Sequence, residues 1–472
     1  MHFALAETSP QTAAASLLAA LSLVLVLPAQ DPTAPEESVI EVRPESAFRL
    51  SQALQLPEWL RISGSARARY EGLEGQFRAN PQLASSDHIL ALRQTLLFEV
   101  DVDAVTFALE GIDARQLADG SRSLLNVGSA DAVDILQGYV EVGHDGPFDA
   151  DSELKVGRRT VDFGGRRLVG RNRYRNTIQS FTGASYQSAF DDLSAEVFWY
   201  LPTLIRPSAL GPLLDDDPEL NDQDVDLQFY GSFVSADLDP RTSLEAYFYV
   251  VTDQREGRPE RELYTPGVRA LRRPESSSFD YEFEGNLQFG RSQATAGGPD
   301  LDHLAWFAHA ELGYTFDAPL EPRVFVQLDG GSGDESANDG ENNRFDPLFQ
   351  VRADFGALGL FGPIARTNTL SSALKVQVHP AEAMSVLLGW RSVFLTEDDD
   401  FVAVGGVQDP SGSSGSEFGH KLELTARWQA IPDSLQLEFG VAHLFAGDVL
   451  RRAPNARAED STYVYFETLL SF

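Results

Sequence analysis

From Arg61 to the end of the chain, apolar and polar residues alternate with a period of two. They do so in segment after segment of roughly ten residues divided by turn-forming clusters. A chain of this kind builds sheet, because successive strand side chains point to opposite faces and each strand then has one apolar and one polar side. In the first segment Ile62, Gly64, Ala66, Ala68 and Tyr70 alternate with Arg61, Ser63, Ser65, Arg67 and Arg69. Further on, Phe279, Tyr281, Phe283, Leu287 and Phe289 alternate with Asp280, Glu282, Glu284, Asn286 and Gln288. In a soluble sandwich the apolar face is the core, whereas in a membrane barrel it meets lipid and the polar face lines the lumen. Periodicity alone leaves both open.

Counting separates them. Eighteen segments carry the pattern, at 61-71, 89-102, 104-114, 133-143, 152-161, 177-188, 192-202, 224-236, 241-252, 262-272, 279-290, 302-316, 322-330, 366-378, 383-395, 417-430, 433-445 and 461-472. Short connections (Asp103, 144-151, 189-191, 237-240, 273-278, 317-321, 379-382 and 431-432) alternate with longer ones, up to 331-365. An even strand number with short turns on one rim and long loops on the other is the rule of outer-membrane barrels, and a sandwich has no need of it. The fold expected is all-β: a transmembrane antiparallel β-barrel of about 18 strands with both ends periplasmic. Segment 262-272 is the weakest member, since Pro266 interrupts it and the count is odd without it. The last strand, YVYFETLLSF, puts Val464, Phe466, Thr468, Leu470 and Phe472 on one face. Trp199, Trp306, Trp390 and Trp428 all fall on the outward parity, as aromatic girdles require.

Ahead of the barrel, residues 1-30 hold an apolar run, Ala13 to Leu27, followed by Pro28-Ala29-Gln30. This has the length of a secretion-signal core and is short for a membrane span, although no Lys or Arg precedes it. Residues 31-60 are a Pro- and Glu-rich lead-in, expected to be poorly ordered and periplasmic, and 61-472 is the barrel. No later run approaches 18 consecutive apolar residues, so no helical span is expected. There is no cysteine, which excludes a disulfide framework and a thiolate metal site.

One stretch is out of character with a formal net charge of -34. In KVGRRTVDFGGRRLVGRNRYR, residues 155 to 175, Lys155, Arg158, Arg159, Arg166, Arg167, Arg171, Arg173 and Arg175 stand against one acid, Asp162. Guanidinium is always charged and its planar fork matches carboxylate and phosphate, so an anion is the natural partner. A basic surface loop is the plain alternative. The stretch ends the fifth strand and forms the following long loop, which places its cations at the extracellular mouth. Strand parity points Lys155 and Arg159 into the lumen and Arg158 outward, and Gly164 and Gly165 let the loop fold back. Other inward cations are Arg67, Arg69, Arg93, Arg269, Arg323, Lys375, Arg391, Lys421 and Arg427. Inward acids are as many, among them Glu99, Asp101, Glu110, Glu245, Glu282, Glu311 and Glu423. The lumen is mixed, so an anion path must be local. The residues expected to line it are Arg67, Arg69, Arg93, Lys155, Arg158, Arg159, Arg166, Arg167, Arg171, Arg173, Arg175 and Arg391.

Three words of the sequence, LKVGRRTVDFGGRRLVGRNRYRNTIQSFTGA, GSGDESANDGENNRFDPLF and HLFAGDVL, occur in this order along the barrel. In them the chain resembles the alginate export family of outer-membrane barrels. The resemblance implies an eighteen-stranded barrel and passive export of an anionic polyuronate through an arginine-lined constriction. It puts that role on Arg158, Arg166 and Arg167, with Arg159 where the family usually has Gln. Two departures stand out. Thr182 and Ser185 replace an Asp and an Arg of the family's motif, and the connection at 430-433 is a tight turn where the alginate exporter has a long gating loop. The function expected is an outer-membrane channel passing an anionic polysaccharide or oligosaccharide by passive diffusion, with a general or differently selective porin as the alternative.

Catalysis has little support. The eight histidines are scattered, only His303 and His309 share a strand, and no G-x-S-x-G or metal-ligand spacing occurs. Asp334, Asp339 and Glu341 in the loop 329-346 lack EF-hand spacing, and a solvated loop is the simpler reading than a calcium site. No cofactor and no metal are expected. The partners expected are outer-membrane lipid and lipopolysaccharide, the anionic polysaccharide, and periplasmic secretion components as a further candidate; nucleic acid is not among them.

Overall fold

The computed structural model describes residues 49-118, 120-146, 150-336 and 339-472. The eighteen segments are all strands: β1 (Leu60–Glu74), β2 (Ser86–Val102), β3 (Val105–Ala118), β4 (Asp131–Asp145), β5 (Asp151–Arg159), β6 (Phe181–Phe190), β7 (Leu193–Pro202), β8 (Leu227–Asp239), β9 (Thr242–Asp253), β10 (Arg261–Arg272), β11 (Ser278–Gln293), β12 (Asp300–Thr315) and β13 (Arg323–Gly331). After a two-residue strand, β14 (Glu341–Asn342), come β15 (Thr369–Ala381), β16 (Met384–Phe394), β17 (Glu417–Ile431), β18 (Leu435–Ala446) and β19 (Ser461–Ser471). Each barrel strand pairs antiparallel with its neighbours in sequence, β13 pairs with β15, and β1 pairs with both β2 and β19. The sheet is therefore a closed barrel of eighteen strands, with no unpaired edge. β14 lies outside this ring, parallel to the start of β12.

The alternation resolves in favour of lipid. Phe279, Phe283, Leu287 and Phe289 are exposed, as are Trp199, Trp306, Trp390 and Trp428, whereas inward Arg67, Arg69, Glu284, Asn286 and Gln288 are buried. A soluble sandwich would show the reverse. Pro266 sits inside β10 as expected, and the ladders show how. Pairing with β9 continues through Pro266↔Phe248, but the register toward β11 lapses between Tyr264 and Gly267, where proline has no N–H to donate. Boundaries shift modestly: β6 begins at Phe181 and β15 at Thr369, so 177-180 and 366-368 belong to loops. Two connections on the long-loop rim, 254-260 and 294-299, are no longer than the turn 316-322, so alternation by length is uneven. The secretion signal expected at 1-30 lies outside the described residues. At the end of the lead-in, Leu50–Ala53 forms one helical turn, and Ser51 Oγ donates to Ile62 O at 2.9 Å and accepts from Ile62 N at 2.8 Å, tying it to β1. Among the described residues no helix is long and apolar enough to cross a membrane.

Two long loops, 160-180 and 332-368, turn into the barrel instead of away from it. Each carries an apolar anchor. Val161, Phe163, Leu168 and Val169 join Phe198, Phe229 and Tyr249 of the wall in one buried cluster. Phe355, Ala357, Leu360, Phe361 and Ile364 join Leu73, Phe77, Phe418 and Tyr463 in another. The lumen is thus narrowed by chain whose apolar side chains are buried and several of whose charges pair with the wall.

Candidate functional site

The hairpin 160-180 folds back through a turn at Phe163 to Arg166, where Arg166 N donates to Phe163 O. Gly164 has φ +51, which glycine adopts without strain, and a Cβ there would lie 2.7 Å from Glu245 Oε2. Beyond the turn the hairpin crosses the lumen. Arg167 meets Glu282 and Glu284 of β11, whereas the carbonyls of Tyr174 and Arg175 accept from Arg67 of β1, on the opposite side of the ring.

Most of the predicted cations are neutralised by acids of the wall. Lys155 bonds Glu153 at 2.7 Å and Glu141 at 3.3 Å; Arg159 lies 3.5 Å from Glu196. Arg167 pairs with Glu282, with Glu284 at 2.8 Å and with Asp354 at 3.2 Å. Arg171 reaches Glu110 and Arg173 reaches Glu438, each at 3.2 Å. Arg67 and Arg69 share Glu467 at 2.8 and 2.9 Å, Arg69 adds Glu71 at 3.0 Å, and Arg391 holds Asp329 at 2.6 Å. Arg158 keeps the outward parity of Val156; its guanidinium donates to Ile135 O at 2.8 Å and lies 3.7 Å from Asp134, so it does not join the lumen row. Arg166 stands near Asp162, whose carboxyl burial raises while Arg171 N–H and Arg166 oppose the rise.

These pairs fix the loops. Burial works against the charge of Arg167, but Glu282, Glu284 and Asp354 outweigh it and hold its pKa well above the ordinary value. Burial likewise disfavours the Asp354 carboxylate, yet Arg366 and Arg167 hold it far below the usual range. The wall also grips backbone. Glu71 accepts from Leu360 N at 2.6 Å, Glu423 from Ala357 N at 3.1 Å, and Lys375 donates to Asp354 O at 2.9 Å.

Three predicted cations, Arg93, Arg166 and Arg175, and two that sequence reasoning passed over have no carboxylate within ion-pair distance among the described residues. Arg93 donates only to the carbonyls of Arg175 (3.0 Å) and Asn176 (3.5 Å), and its buried Nε has no partner. Arg175 is exposed yet enclosed by the barrel, and that enclosure lowers its pKa. Arg352 donates to Gly362 O (3.0 Å) and Ile364 O (2.9 Å); burial, then Arg175 and Arg366, pull it down to about 9. Arg78, of the loop after β1, donates to Leu360 O (2.8 Å) and Phe361 O (2.7 Å), and burial followed by Arg352 brings it to about 9. A guanidinium does not give up its proton near neutral pH. Arg78 and Arg352 stand singly among neutral residues, so charge clustering could not reveal them; Arg352 does follow the PLF word within four residues.

His309, Asp329 and Asp354 come together closely enough to hold a metal ion. Both carboxylates are engaged, Asp329 by Arg391 and His309 Nδ1 and Asp354 by Arg366 through both oxygens and Arg167 through one, while His309 Nε2 is buried without a partner. In the loop 329-346, Asp334 pairs with Arg344 at 3.2 Å and Asp339 accepts from Glu341 N at 2.9 Å. His303 is bonded to Ser292 and Gln288.

A family model described as alginate export matches residues 58-464. No curated protein matches the sequence. Among solved structures the chain is similar to Pseudomonas aeruginosa OpdQ, with a TM-score of 0.56, 12% identity and coverage of 88% of this chain and 97% of that one. It is similar to Pseudomonas aeruginosa OpdK with vanillate (TM-score 0.57, 14% identity, 88% and 99% covered) and to Acinetobacter baumannii OccAB4 (TM-score 0.57, 10% identity, 88% and 99% covered). At these identities the likeness concerns the fold.

Proposed function

The chain belongs to the alginate export family and is an outer-membrane channel; from that premise we propose that it passes an anionic polysaccharide or oligosaccharide of the polyuronate kind by passive diffusion. The long-loop rim is extracellular in this reading. The carrying observation is the set Arg78, Arg352, Arg93 and Arg175 in the narrowed lumen: the first three bond carbonyls and an amide, and among the described residues none of the four bonds an acid. A carboxylate held at about 4 Å from one guanidinium gains roughly 1 to 4 kcal/mol, from bulk water to a protein surface. Several weak sites in series suit transport, since the solute must also leave. Aqueous electrolyte at ~0.1 M screens such charges beyond about 10 Å, so the preference declines with salt.

A general porin is the second reading, favoured by the near-complete neutralisation of the wall itself. Reversal potential under a salt gradient tells them apart. Wild type should prefer anions, and Arg175→Gln with Arg352→Gln should move the potential toward cations. A wild type without anion preference supports the general porin and ends the polyuronate reading.

A further inference from the structure

Five cations, Arg366, Arg167, Lys375, Arg391 and Lys421, converge on Asp354 and Phe355 of the loop 332-368. The Asp354 carboxylate accepts from Arg366 through both oxygens, at 2.6 and 2.7 Å, and from Arg167 Nε at 3.2 Å. Its carbonyl accepts from Lys375 at 2.9 Å and from Arg391 at 3.3 Å, and the Phe355 carbonyl accepts from Lys421. The guanidiniums of Arg366 and Arg391 each lie 5.0 Å from the Phe355 ring. These cations are unequally supplied with acids. Arg167 also has Glu282 and Glu284, Arg391 has Asp329, and Lys421 has Glu423. Among the described residues, Arg366 has Asp354 alone, and Lys375 has no carboxylate within ion-pair distance. Both cations are buried, so Asp354 is what keeps this seat from holding bare charge. The Arg366 side chain is 0% exposed and that of Asp354 14%, so the aspartate is the member that meets the lumen and shuts the arginine off from it. The backbone on either side is held without the carboxylate: Val351 N donates to Arg166 O at 3.0 Å, and Ala357 N to Glu423 at 3.1 Å. The side chain can leave while the loop stays.

We propose that the seat formed by Arg366, Arg167 and Lys375 is a carboxylate-binding site, filled at rest by the chain's own Asp354 and taken over by a sugar carboxylate of the passing solute. This rests on the polyuronate reading and deepens it, because the internal ligand and the solute present the same chemical group. Exchange replaces one carboxylate by another, so the buried charge is matched before and after. A tethered side chain competes at an effective concentration of roughly millimolar order. A chain with a carboxylate on every sugar can match that, and a neutral sugar has nothing to exchange. The seat is thus separate from Arg78, Arg93, Arg175 and Arg352, which lack an acid to displace.

Calorimetric binding of trigalacturonate to the full chain in detergent tests this through the internal competitor. Asp354→Ala empties the seat and should bind the probe about tenfold more tightly than wild type, the size of one charged contact that is no longer contested. Adding Arg366→Gln should cancel the gain, and a neutral trisaccharide should gain nothing in either variant. If Asp354→Ala fails to assemble, amide hydrogen exchange of the wild type decides. The probe should speed exchange at 353-357, since the displaced carboxylate no longer ties the turn to Arg366, whereas the neutral trisaccharide or chloride at equal ionic strength should not. Equal or weaker binding in Asp354→Ala, a gain that survives Arg366→Gln, or exchange that is unchanged by the probe or equally fast with chloride overturns the seat. In a wild type whose reversal potential shows anion preference, that result leaves the polyuronate reading standing. A wild type without anion preference removes the reading itself.

Discussion

Two sets of lumen arginines differ in what surrounds them. Arg67, Arg69, Arg167 and Arg391 are buried against Glu467, Glu71, Glu282, Glu284 and Asp329, and Arg67, Arg69 and Arg391 also bond loop backbone. Arg78, Arg93, Arg175 and Arg352 sit in the same space without a carboxylate among the described residues. The first set builds the constriction and the second leaves it charged. A buried ion pair adds little over an apolar substitute but is costly to break on one side. The two sets should therefore respond to mutation in opposite ways, one in stability and the other in selectivity.

The largest effect is expected at Glu467, whose carboxylate is shared by Arg67 and Arg69. Glu467→Gln leaves Arg67 without an acid in a buried site and should destabilise the barrel by about 3-5 kcal/mol, read as a lower unfolding midpoint in denaturant. Arg175→Gln should stay within about 0.5 kcal/mol of wild type by the same measurement, since that side chain has no acid to lose. Equal losses would erase the distinction between the sets.

Asp354 comes next. Asp354→Asn removes the carboxylate charge shared by Arg366 and Arg167, with an expected cost of about 1.5-3 kcal/mol for one charged hydrogen-bonded contact. The loss falls on the constriction loop, so conductance in concentrated salt should rise while the barrel remains folded. The pH dependence follows in sign. A carboxylate whose pKa is depressed by folding contributes stability above its unfolded value, near 3.9, and loses it only as pH falls through the depressed value. Conductance of wild type should therefore hold steady from pH 7 to about 4, and a rise within that window would contradict the assigned pairing.

The seam gives the smallest effect. Phe472 N donates to Gly64 O at 3.0 Å and accepts from Gly64 N through its carbonyl at 2.9 Å, while its ring lies over Gly64. Deleting Phe472 removes two backbone bonds, each contributing about 1 kcal/mol net. Slower assembly with an intact final barrel is the expected result in a time course of heat-resistant gel mobility; unchanged kinetics would show that the closing strand does not depend on its terminal residue.

The strands were legible because lipid and lumen impose opposite demands on alternate residues, and the count survived even Pro266, since proline there gives up one ladder and keeps the other. The arginine stretch was legible as an excess of charge. Its partners were not: Glu282, Glu284 and Glu438 lie more than a hundred residues away, on strands that adjoin the hairpin only because the barrel closes. Counting cations therefore marked the hairpin correctly as a feature of the lumen and could not say that Arg167, Arg171 and Arg173 are used up in holding it. Arg78 and Arg352 stayed hidden for the converse reason, because what distinguishes them is a missing neighbour.

The most direct test of an anion-passing lumen is the interruption of current through single channels in a planar bilayer by oligouronate and by a neutral oligosaccharide of equal length. The account predicts brief blockades by the oligouronate alone, rarer as salt is raised and rarer again in the Arg175→Gln, Arg352→Gln variant. Blockades by both sugars at equal frequency, or by neither, would contradict it.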